Sequence, residues 1–262
     1  MDYKQVLKRL LGDVIVFAEY GGKIRLRTYQ VPVARAIVDS VIHHKGLTFV
    51  VAMSRQAGKN ETQAQIEAYL LTLLSQTYLE MVKASPTYKP QTQNAMRRLE
   101  RTLDRNAITR DLWKSEDGYV YRIGNARIYF LSAHKESNVV GATASALLEC
   151  DEAQDVLPEK WDRDFSPMAS STNATTVLWG TVWTSRTLLA REIRAAQDAE
   201  RADGVRRLFL FDAATVGAEV PAYAEYVRKQ VAKLGRNHPL IKTQYFLEEI
   251  DAEGGMFPPQ RR

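Results

Sequence analysis

The feature that most constrains this chain is a loop that ends in Gly58-Lys59. It directly follows an apolar run over residues 47–52, which predicts a buried strand, and it precedes a helical pattern over 62–74. This order places a lysine and several free backbone N–H groups at the N-terminus of a helix, an arrangement that binds nucleotide phosphates. A nucleotide site is therefore one interpretation of the loop, and an ordinary turn is the other.

The loop matches the P-loop pattern G-x-x-x-x-G-K-[ST] only in part. Met53 stands where the pattern requires its first glycine, and Asn60 stands where it requires a hydroxyl residue. Because a Gly-Lys pair after a strand is often only a turn, the loop alone leaves both interpretations open.

A second element, further along the chain, favours the nucleotide site. Residues 144–150 are mostly apolar and lead into the acidic pair Asp151-Glu152. In P-loop ATPases, an aspartate at such a strand end supports Mg²⁺, and the next glutamate orients and deprotonates the attacking water. The alternative is that Asp151 caps a following helix while Glu152 faces solvent. Together with the loop before Lys59, the pair favours an ATPase, since phosphoryl transfer depends mainly on positioned charge.

Composition excludes several classes of protein. The 262 residues are 45% hydrophobic and 26% charged, as in ordinary globular proteins, and no apolar run reaches the length of a membrane span. The opening residues, Met-Asp-Tyr-Lys-Gln, do not resemble a secretion signal. The single cysteine, Cys150, rules out a disulfide framework, and the four histidines show no zinc-ligand spacing. The net charge of +5 is a mild bias toward a polyanionic partner.

Strands and helices are predicted to alternate around the two elements, which indicates an α/β layered fold. The pair Gly124-Asn125 between two β-type runs predicts a hairpin. The predicted strands cover 47–52, 79–84, 119–123, 126–131, 144–150, 175–179 and 207–211. The predicted helices cover 1–20, 33–43, 62–74, 89–106, 189–201 and 221–234, with a last helical turn over 242–249.

With these elements in order, the chain resembles the ATPase domain of the large terminase subunit, the DNA-packaging motor of tailed bacteriophages. The resemblance spans about residues 27–186. Residues 27–30 (Arg-Thr-Tyr-Gln) match an R-x-Y-Q element that holds adenine in that family, and residues 54–59 match its P-loop, S/G-R-Q-x-G-K. Residues 147–153 match its hydrophobic strand with Asp-Glu-Ala, and residues 180–181 (Gly-Thr) match its coupling motif.

The resemblance implies a fold, an activity and a set of site residues. The fold is an ASCE/RecA-like P-loop NTPase, in which a mostly parallel α/β sheet lies between helices and a small helical lid follows. The activity is hydrolysis of Mg-ATP coupled to translocation of double-stranded DNA into a procapsid. The implied catalytic residues are Glu152, Arg55 and Lys59; those that bind ATP are Arg27, Tyr29, Gln30, Ser54, Arg55, Gln56, Ala57, Gly58, Lys59, Asn60, Glu61 and Thr181; those that bind Mg²⁺ are Asp151 and Asn60.

The resemblance also implies domains and partners. We expect a P-loop ATPase core over 1–187, a small lid or linker subdomain over 188–250, and over 251–262 a linker toward a C-terminal nuclease domain. The expected partners are double-stranded DNA, the portal protein, the small terminase subunit and further copies of the chain in a ring. In isolation the chain is expected to be a monomer, with no membrane association, and the expected location is the host cytoplasm.

Two departures from the family pattern bear on catalysis. The amide oxygen of Asn60 replaces the usual hydroxyl, and it is expected to coordinate Mg²⁺ more weakly. Related motors often carry Arg-Gly in a loop before the acidic strand, with the arginine reaching a neighbour's ATP, whereas this chain has Val140-Gly141. The missing cation then comes from elsewhere, from Lys135, or from Arg55 within the same subunit.

Two other functional hypotheses stay open at this point. A helicase-like ATPase shares the fold, but it normally carries a second RecA-like domain, for which the segment after Leu188 is short. A degenerate NTPase fold that serves as a docking module is compatible with the departures at Asn60 and Val140. The basic helix predicted over 89–106 also has two interpretations, since its arginines form either a solvated face or a face that contacts DNA. These arginines are Arg97, Arg98, Arg101 and Arg105.

Overall fold

A computed structural model describes residues 3–139 and 141–250. In these residues eight strands form one sheet, with the spatial order β3-β4-β5-β2-β6-β7-β1-β8. The strands are β1 (Thr48–Met53), β2 (Leu79–Ser85), β3 (Trp113–Glu116), β4 (Val120–Ile123), β5 (Ala126–Ser132), β6 (Leu147–Cys150), β7 (Thr175–Gly180) and β8 (Leu208–Phe211).

Six neighbouring strands, from β5 to β8 in spatial order, pair in parallel, and β3 and β4 extend one edge in antiparallel pairing. The central strands are buried on both faces, as the near-continuous apolar sequences of β1 and β6 require. The predicted α/β fold with a mostly parallel sheet is confirmed.

Helices cover both faces of the sheet. One apolar core lies under α3, α4 and α5 and includes Ile37, Ile66 and Leu99. The other lies under α7 and the irregular segment after β6, and it includes Leu148 and Leu189. The helices are α1 (Tyr3–Leu10), α2 (Val14–Val16), α3 (Gln30–Ile42), α4 (Lys59–Leu73), α5 (Gln93–Arg105), α6 (Pro158–Lys160), α7 (Leu188–Asp203), α8 (Ala213–Glu219), α9 (Pro221–Leu234) and α10 (Pro239–Phe246).

Several elements differ from the sequence-based expectation, among them α6, which no pattern predicted. The helix expected over 1–20 is divided after Leu10, because Asp13 starts a new helix by accepting hydrogen bonds from the backbone N–H groups of Ile15 and Val16. Strand β3 was not predicted, since its sequence Trp-Lys-Ser-Glu is polar and lies at the exposed edge of the sheet. Helix α8 was also missed, although Asp212 caps its N-terminus.

The expected boundary between residues 187 and 188 does not coincide with an edge of the sheet. Strand β8 pairs with β1, and the first two residues of α7, Leu188 and Leu189, are buried in the core. The sheet therefore extends past that boundary, and a lid formed by later residues stays a prediction. Residues 251–262, the expected linker, lie outside the described residues. Among the described helices, none combines the length and the apolar character needed to cross a bilayer.

Candidate functional site

The loop between β1 and α4 ends in a left-handed glycine directly before the helix. Gly58 caps α4 with a left-handed conformation at φ 91°, and Lys59 is the first residue of the helix. A Cβ at position 58 would lie 2.6 Å from the side-chain nitrogen of Gln30. The positive φ favours glycine here, and any Cβ would also force the Gln30 amide to move.

The R-x-Y-Q element lies behind this loop and binds its backbone. The Tyr29 hydroxyl donates a hydrogen bond of 2.6 Å to the carbonyl oxygen of Ala57, which also accepts from the Arg27 guanidinium at 3.2 Å. The Gln30 amide donates to the carbonyl oxygen of Gly58 at 3.1 Å. Tyr29 and Gln30 are buried. These three side chains hold the loop in shape, and their expected contact with adenine stays a prediction.

The acidic pair meets the lysine at one edge of the sheet. Strands β1 and β6 are separated only by β7, and all three are parallel, so their carboxyl ends lie side by side. The ammonium nitrogen of Lys59 lies 2.5 Å from Glu152 Oε1 and 3.3 Å from Asp151 Oδ1. The structure therefore brings together the three residues that the sequence placed at the centre of the site.

Charge stabilises this cluster although it is buried. Burial alone would lower the pKa of Lys59, but the carboxylates of Asp151 and Glu152 hold it above its usual value. Burial alone would raise the pKa of Asp151, but the charges of Lys59 and Lys83 hold it below its usual value. Lys59 is therefore a cation and Asp151 an anion, as phosphate and metal binding require.

A buried polar network, which the sequence analysis missed, supports Asp151 from below. Gln63 on α4 donates to Asp151 Oδ1 at 3.1 Å, and Lys83 on β2 donates to Gln63 at 2.8 Å and to Glu67 at 2.5 Å. Glu149 lies in the same network and accepts from the Trp179 indole at 2.9 Å. The signal in the sequence was a lysine inside an apolar strand, which needs an anionic partner when it is buried.

Glu152 begins a short turn with its backbone in the left-handed region, at φ 48°. Its Oε2 accepts a 2.7 Å hydrogen bond from the Gln154 amide, whose oxygen accepts from the Thr181 backbone N–H at 3.0 Å. The Thr181 hydroxyl donates to the carbonyl oxygen of Met53, the last residue of β1. The expected coupling residue is thus hydrogen-bonded both to the strand before the loop and, through Gln154, to the acidic pair.

A cavity of about 600 Å³ opens in front of these groups. Its lining includes the whole loop from Ser54 to Glu61, together with Glu152 and Thr181, so most of the predicted nucleotide-binding residues face one space. Arg27, Tyr29, Gln30 and Asp151 are not among the lining residues. The residues that line it without having been predicted are Met53, Arg98, Gln154, Asp155, Trp183 and Gln244.

Residues near the end of the described chain hold the loop from the other side. The backbone N–H of Arg55 donates to the Gln244 carbonyl oxygen at 2.8 Å, and its guanidinium donates to the Gln244 side chain at 3.0 Å. The Tyr223 hydroxyl donates to the Arg55 carbonyl oxygen at 2.8 Å. Arg55 is exposed at the cavity, where its charge is accessible to a bound phosphate.

Asp151 and Asn60 carry oxygen atoms of the kind that Mg²⁺ takes as ligands in nucleotide sites. The described contacts of Asp151 with Lys59, Gln63 and the Glu152 N–H all use Oδ1. Asn60 lines the cavity. In the part of the chain that the structure describes, no three His, Cys, Asp or Glu side chains converge on a metal-sized space. Mg²⁺ in nucleotide sites typically uses one or two protein ligands, with phosphates and water supplying the rest.

Two positions, Val140 and Lys135, bear on the second cation that the family pattern expects. Val140 lies outside the described residues. Lys135 is exposed on the preceding loop and lines a separate cleft together with His134 and Asp155. Its role stays a prediction.

Comparison with solved structures shows which fold this is. The HK97 bacteriophage large terminase matches with a TM-score of 0.63 and 16% identity, over 79% of this chain and 44% of that one. A mutant large terminase ATPase domain from Thermus phage P74-26 matches with a TM-score of 0.65 and 14% identity, over 94% of this chain and 98% of the other. The fold is that of a large terminase ATPase domain.

A large terminase from a thermophilic bacteriophage, in complex with ADP, also matches, with a TM-score of 0.55 and 12% identity over 80% of this chain and 52% of that one. This chain thus spans about half the length, or less, of the complete large terminases that it matches. No family model and no curated protein matches the sequence. The resemblance inferred from the motifs is confirmed at the level of the fold.

Proposed function

We propose that this chain is the ATPase part of a terminase motor, which couples hydrolysis of Mg-ATP to translocation of double-stranded DNA into a procapsid. The observation that carries the proposal is the contact of Lys59 with both Asp151 and Glu152 in front of a phosphate-shaped loop. The fold of the HK97 and P74-26 proteins supports it.

Each residue of the cluster has a distinct task in this proposal. Lys59 and the backbone N–H groups of the loop bind the β- and γ-phosphates, and Arg55 adds charge at the open side of the cavity. Once phosphate replaces Glu152 as the partner of Lys59, the Glu152 carboxylate is free to orient a water and accept its proton. Asp151 and Asn60 would hold Mg²⁺, which neutralises charge on the phosphates when it is bound.

The proposed partners follow from the terminase assignment. They are double-stranded DNA, a portal protein, a small terminase subunit and neighbouring copies in a ring, in the cytoplasm of an infected host. Three exposed arginines of α5 are available for phosphate contacts with DNA; they are Arg97, Arg101 and Arg105. Arg98 instead pairs with Glu61 at 3.4 Å and lines the cavity of the proposed site. A solvated helix face remains the alternative for this surface.

Steady-state phosphate release tests the proposal, measured with and without double-stranded and single-stranded DNA. We expect Mg²⁺-dependent ATP hydrolysis that Glu152→Gln abolishes and that Glu225→Gln, at a half-exposed position on α9, leaves unchanged. Hydrolysis that is stimulated only by single-stranded DNA, with strand separation, would favour the helicase-like alternative. Nucleotide binding without any hydrolysis, even at high protein concentration, would favour the docking module.

A further inference from the structure

Gln154 links two parts of the cavity that the motif analysis treated separately. It lies in the 3₁₀ turn Ala153–Asp155, two residues after Glu152. Its side-chain nitrogen lies 2.7 Å from Glu152 Oε2 and 3.2 Å from Asp155 Oδ2, and its oxygen accepts from the Thr181 N–H at 3.0 Å. One carboxamide thus connects Glu152, which lies just after β6, with Thr181, which lies just after β7.

The contacts determine the orientation of this amide. A backbone N–H can only donate, so the Thr181 side must face the Gln154 oxygen. Two carboxylates lie on the other side, and an ionised carboxylate can only accept, so the nitrogen must face them. If the amide were reversed, its NH₂ group would face the Thr181 N–H, and its oxygen would face the two carboxylates. Gln154 therefore presents an N–H donor to Glu152.

The space for the Gln154 amide depends on Gly180, the last residue of β7. A Cβ on Gly180 would lie 2.5 Å from the Gln154 oxygen and 2.7 Å from a methyl carbon of Leu189. Real side chains do not approach so closely, so any other residue at position 180 would displace the bridge. The backbone at Gly180 has no positive φ that would require glycine for conformational reasons. Its lack of a side chain is what admits Gln154.

The two oxygens of Glu152 have different partners, so nucleotide binding can free one oxygen while the other stays hydrogen-bonded. Oε1 contacts Lys59 at 2.5 Å, and Oε2 contacts Gln154 at 2.7 Å. A phosphate that draws Lys59 away frees Oε1, whereas the hydrogen bond at Oε2 does not involve the lysine. The carboxylate then keeps its hydrogen bond to Gln154 at Oε2, while Oε1 faces the cavity.

We propose that Gln154 is a positioning residue, which holds Glu152 by Oε2 so that Oε1 accepts the proton of the attacking water. The inference rests on the proposed ATPase function, in which Glu152 is the base. It also assigns the Thr181 N–H a task, because that group orients the amide. In this arrangement Gln154 acts on water only through Glu152 and does not take part in proton transfer itself.

Two substitutions at position 154 test this role. Gln154→Glu keeps an oxygen for the Thr181 N–H but replaces the donor toward Glu152 with a second oxygen. Gln154→Met keeps the length and removes both hydrogen bonds. For each variant we expect kcat to fall about 10- to 100-fold, part of the ~10²–10⁴ that a general base supplies, with little change in nucleotide Kd. Gln76→Glu adds the same charge at an exposed position and should match the wild type.

A double-mutant cycle separates positioning from a purely structural role. If Gln154 acts through Glu152, then Gln154→Glu should cause no further loss in a Glu152→Gln background. Thermal unfolding checks that each variant is folded. If Gln154→Met does not fold, Gln154→Glu alone tests the inference. Independent, additive losses, or a full kcat in both folded variants, would overturn the inference while leaving the ATPase intact. A wild-type protein without hydrolysis would overturn the proposed function and this inference together.

Discussion

Lys59 and Glu152 form an ion pair of 2.5 Å in front of the loop between β1 and α4. The lysine is buried, whereas about a quarter of the glutamate side chain is exposed to the cavity, with a relative exposure of 27%. In the proposed reaction the two residues have different roles, since Lys59 binds phosphate and Glu152 activates water. Because they are paired, a bound nucleotide must displace Glu152 from Lys59 before Lys59 can bind phosphate and Glu152 can accept a proton.

The first prediction follows from this pairing. Lys59→Ala should weaken ATP binding and turnover together, because the lysine contacts phosphate in the ground state as well as in the transition state. Glu152→Gln should retain or slightly strengthen binding, since the competing carboxylate charge is gone, and should lose about 10²–10⁴ in kcat. Calorimetric titration with a slowly hydrolysed ATP analogue and single-turnover hydrolysis measure the two effects. Normal turnover in Glu152→Gln would refute its assignment as the base.

The second prediction concerns the metal ligand at position 60. If the Asn60 side chain occupies the place of the usual hydroxyl residue, Asn60→Thr should keep or increase Mg²⁺-dependent turnover and lower the Mg²⁺ concentration needed for half-maximal activity. A magnesium titration of both proteins measures this, with Asn94→Thr on the exposed side of α5 as the matched control. Abolished activity in Asn60→Thr alone would assign Asn60 another role.

The third prediction separates support of the loop from contact with adenine. Tyr29→Phe removes the 2.6 Å hydrogen bond to the Ala57 carbonyl oxygen and should cost about 1 kcal/mol of stability. If Tyr29 acts by shaping the loop, affinity should fall by the same factor for ATP and GTP, because both present the same phosphates. Tyr78→Phe, at an exposed position, is the control. A loss confined to ATP would instead support the expected contact with adenine.

The fourth prediction uses the buried carboxyl of Glu149. Burial, together with the nearby Glu67 charge, raises the pKa of Glu149 well above its usual value. The folded protein therefore keeps a proton that the unfolded chain releases near pH ~4.3, so this group lowers the free energy of unfolding as pH rises above that value. Glu149→Gln removes the titration and keeps an oxygen for the Trp179 indole.

We expect the stability of Glu149→Gln relative to wild type to be higher at about pH 8 than at about pH 5. Urea unfolding at both pH values measures the difference, and Glu136→Gln on an exposed loop controls for the change in net charge. A stability difference that is the same at both pH values would show that Glu149 is ionised in the folded protein.

The fifth prediction concerns assembly. Arginine from a neighbouring subunit contributes about 10³–10⁵ in related phosphoryl transfer, so an isolated copy should hydrolyse ATP slowly. We expect a monomer by sedimentation and a specific activity that rises with protein concentration. DNA binding should weaken steeply with salt, since only a few phosphate contacts are available to a chain with a net charge of +5. A stable oligomer with fast, concentration-independent turnover would contradict this prediction.

Local sequence predicted the parts of the site that depend on neighbouring residues. The run over 47–52 followed by Gly58-Lys59 indicated the strand, loop and helix because apolar runs and glycine act locally. The acidic pair was found in the same way, at the end of an apolar strand. Elements without such a pattern were missed, as β3 shows, because pairing with a neighbouring strand, and not its own composition, makes it a strand.

The amino-acid sequence by itself determined which side chains carry the charges, and where each strand leads into a loop. Only the tertiary structure decided which partners those charges have. Tyr29 and Gln30 bind the loop backbone, Gln154 joins Glu152 to Thr181, and Lys83 lies beneath Asp151 because the crossover order of the sheet places distant segments side by side. Apart from the local contact of Gln154 with Glu152, these contacts depend on packing between residues that are far apart in the chain, which local sequence patterns do not encode.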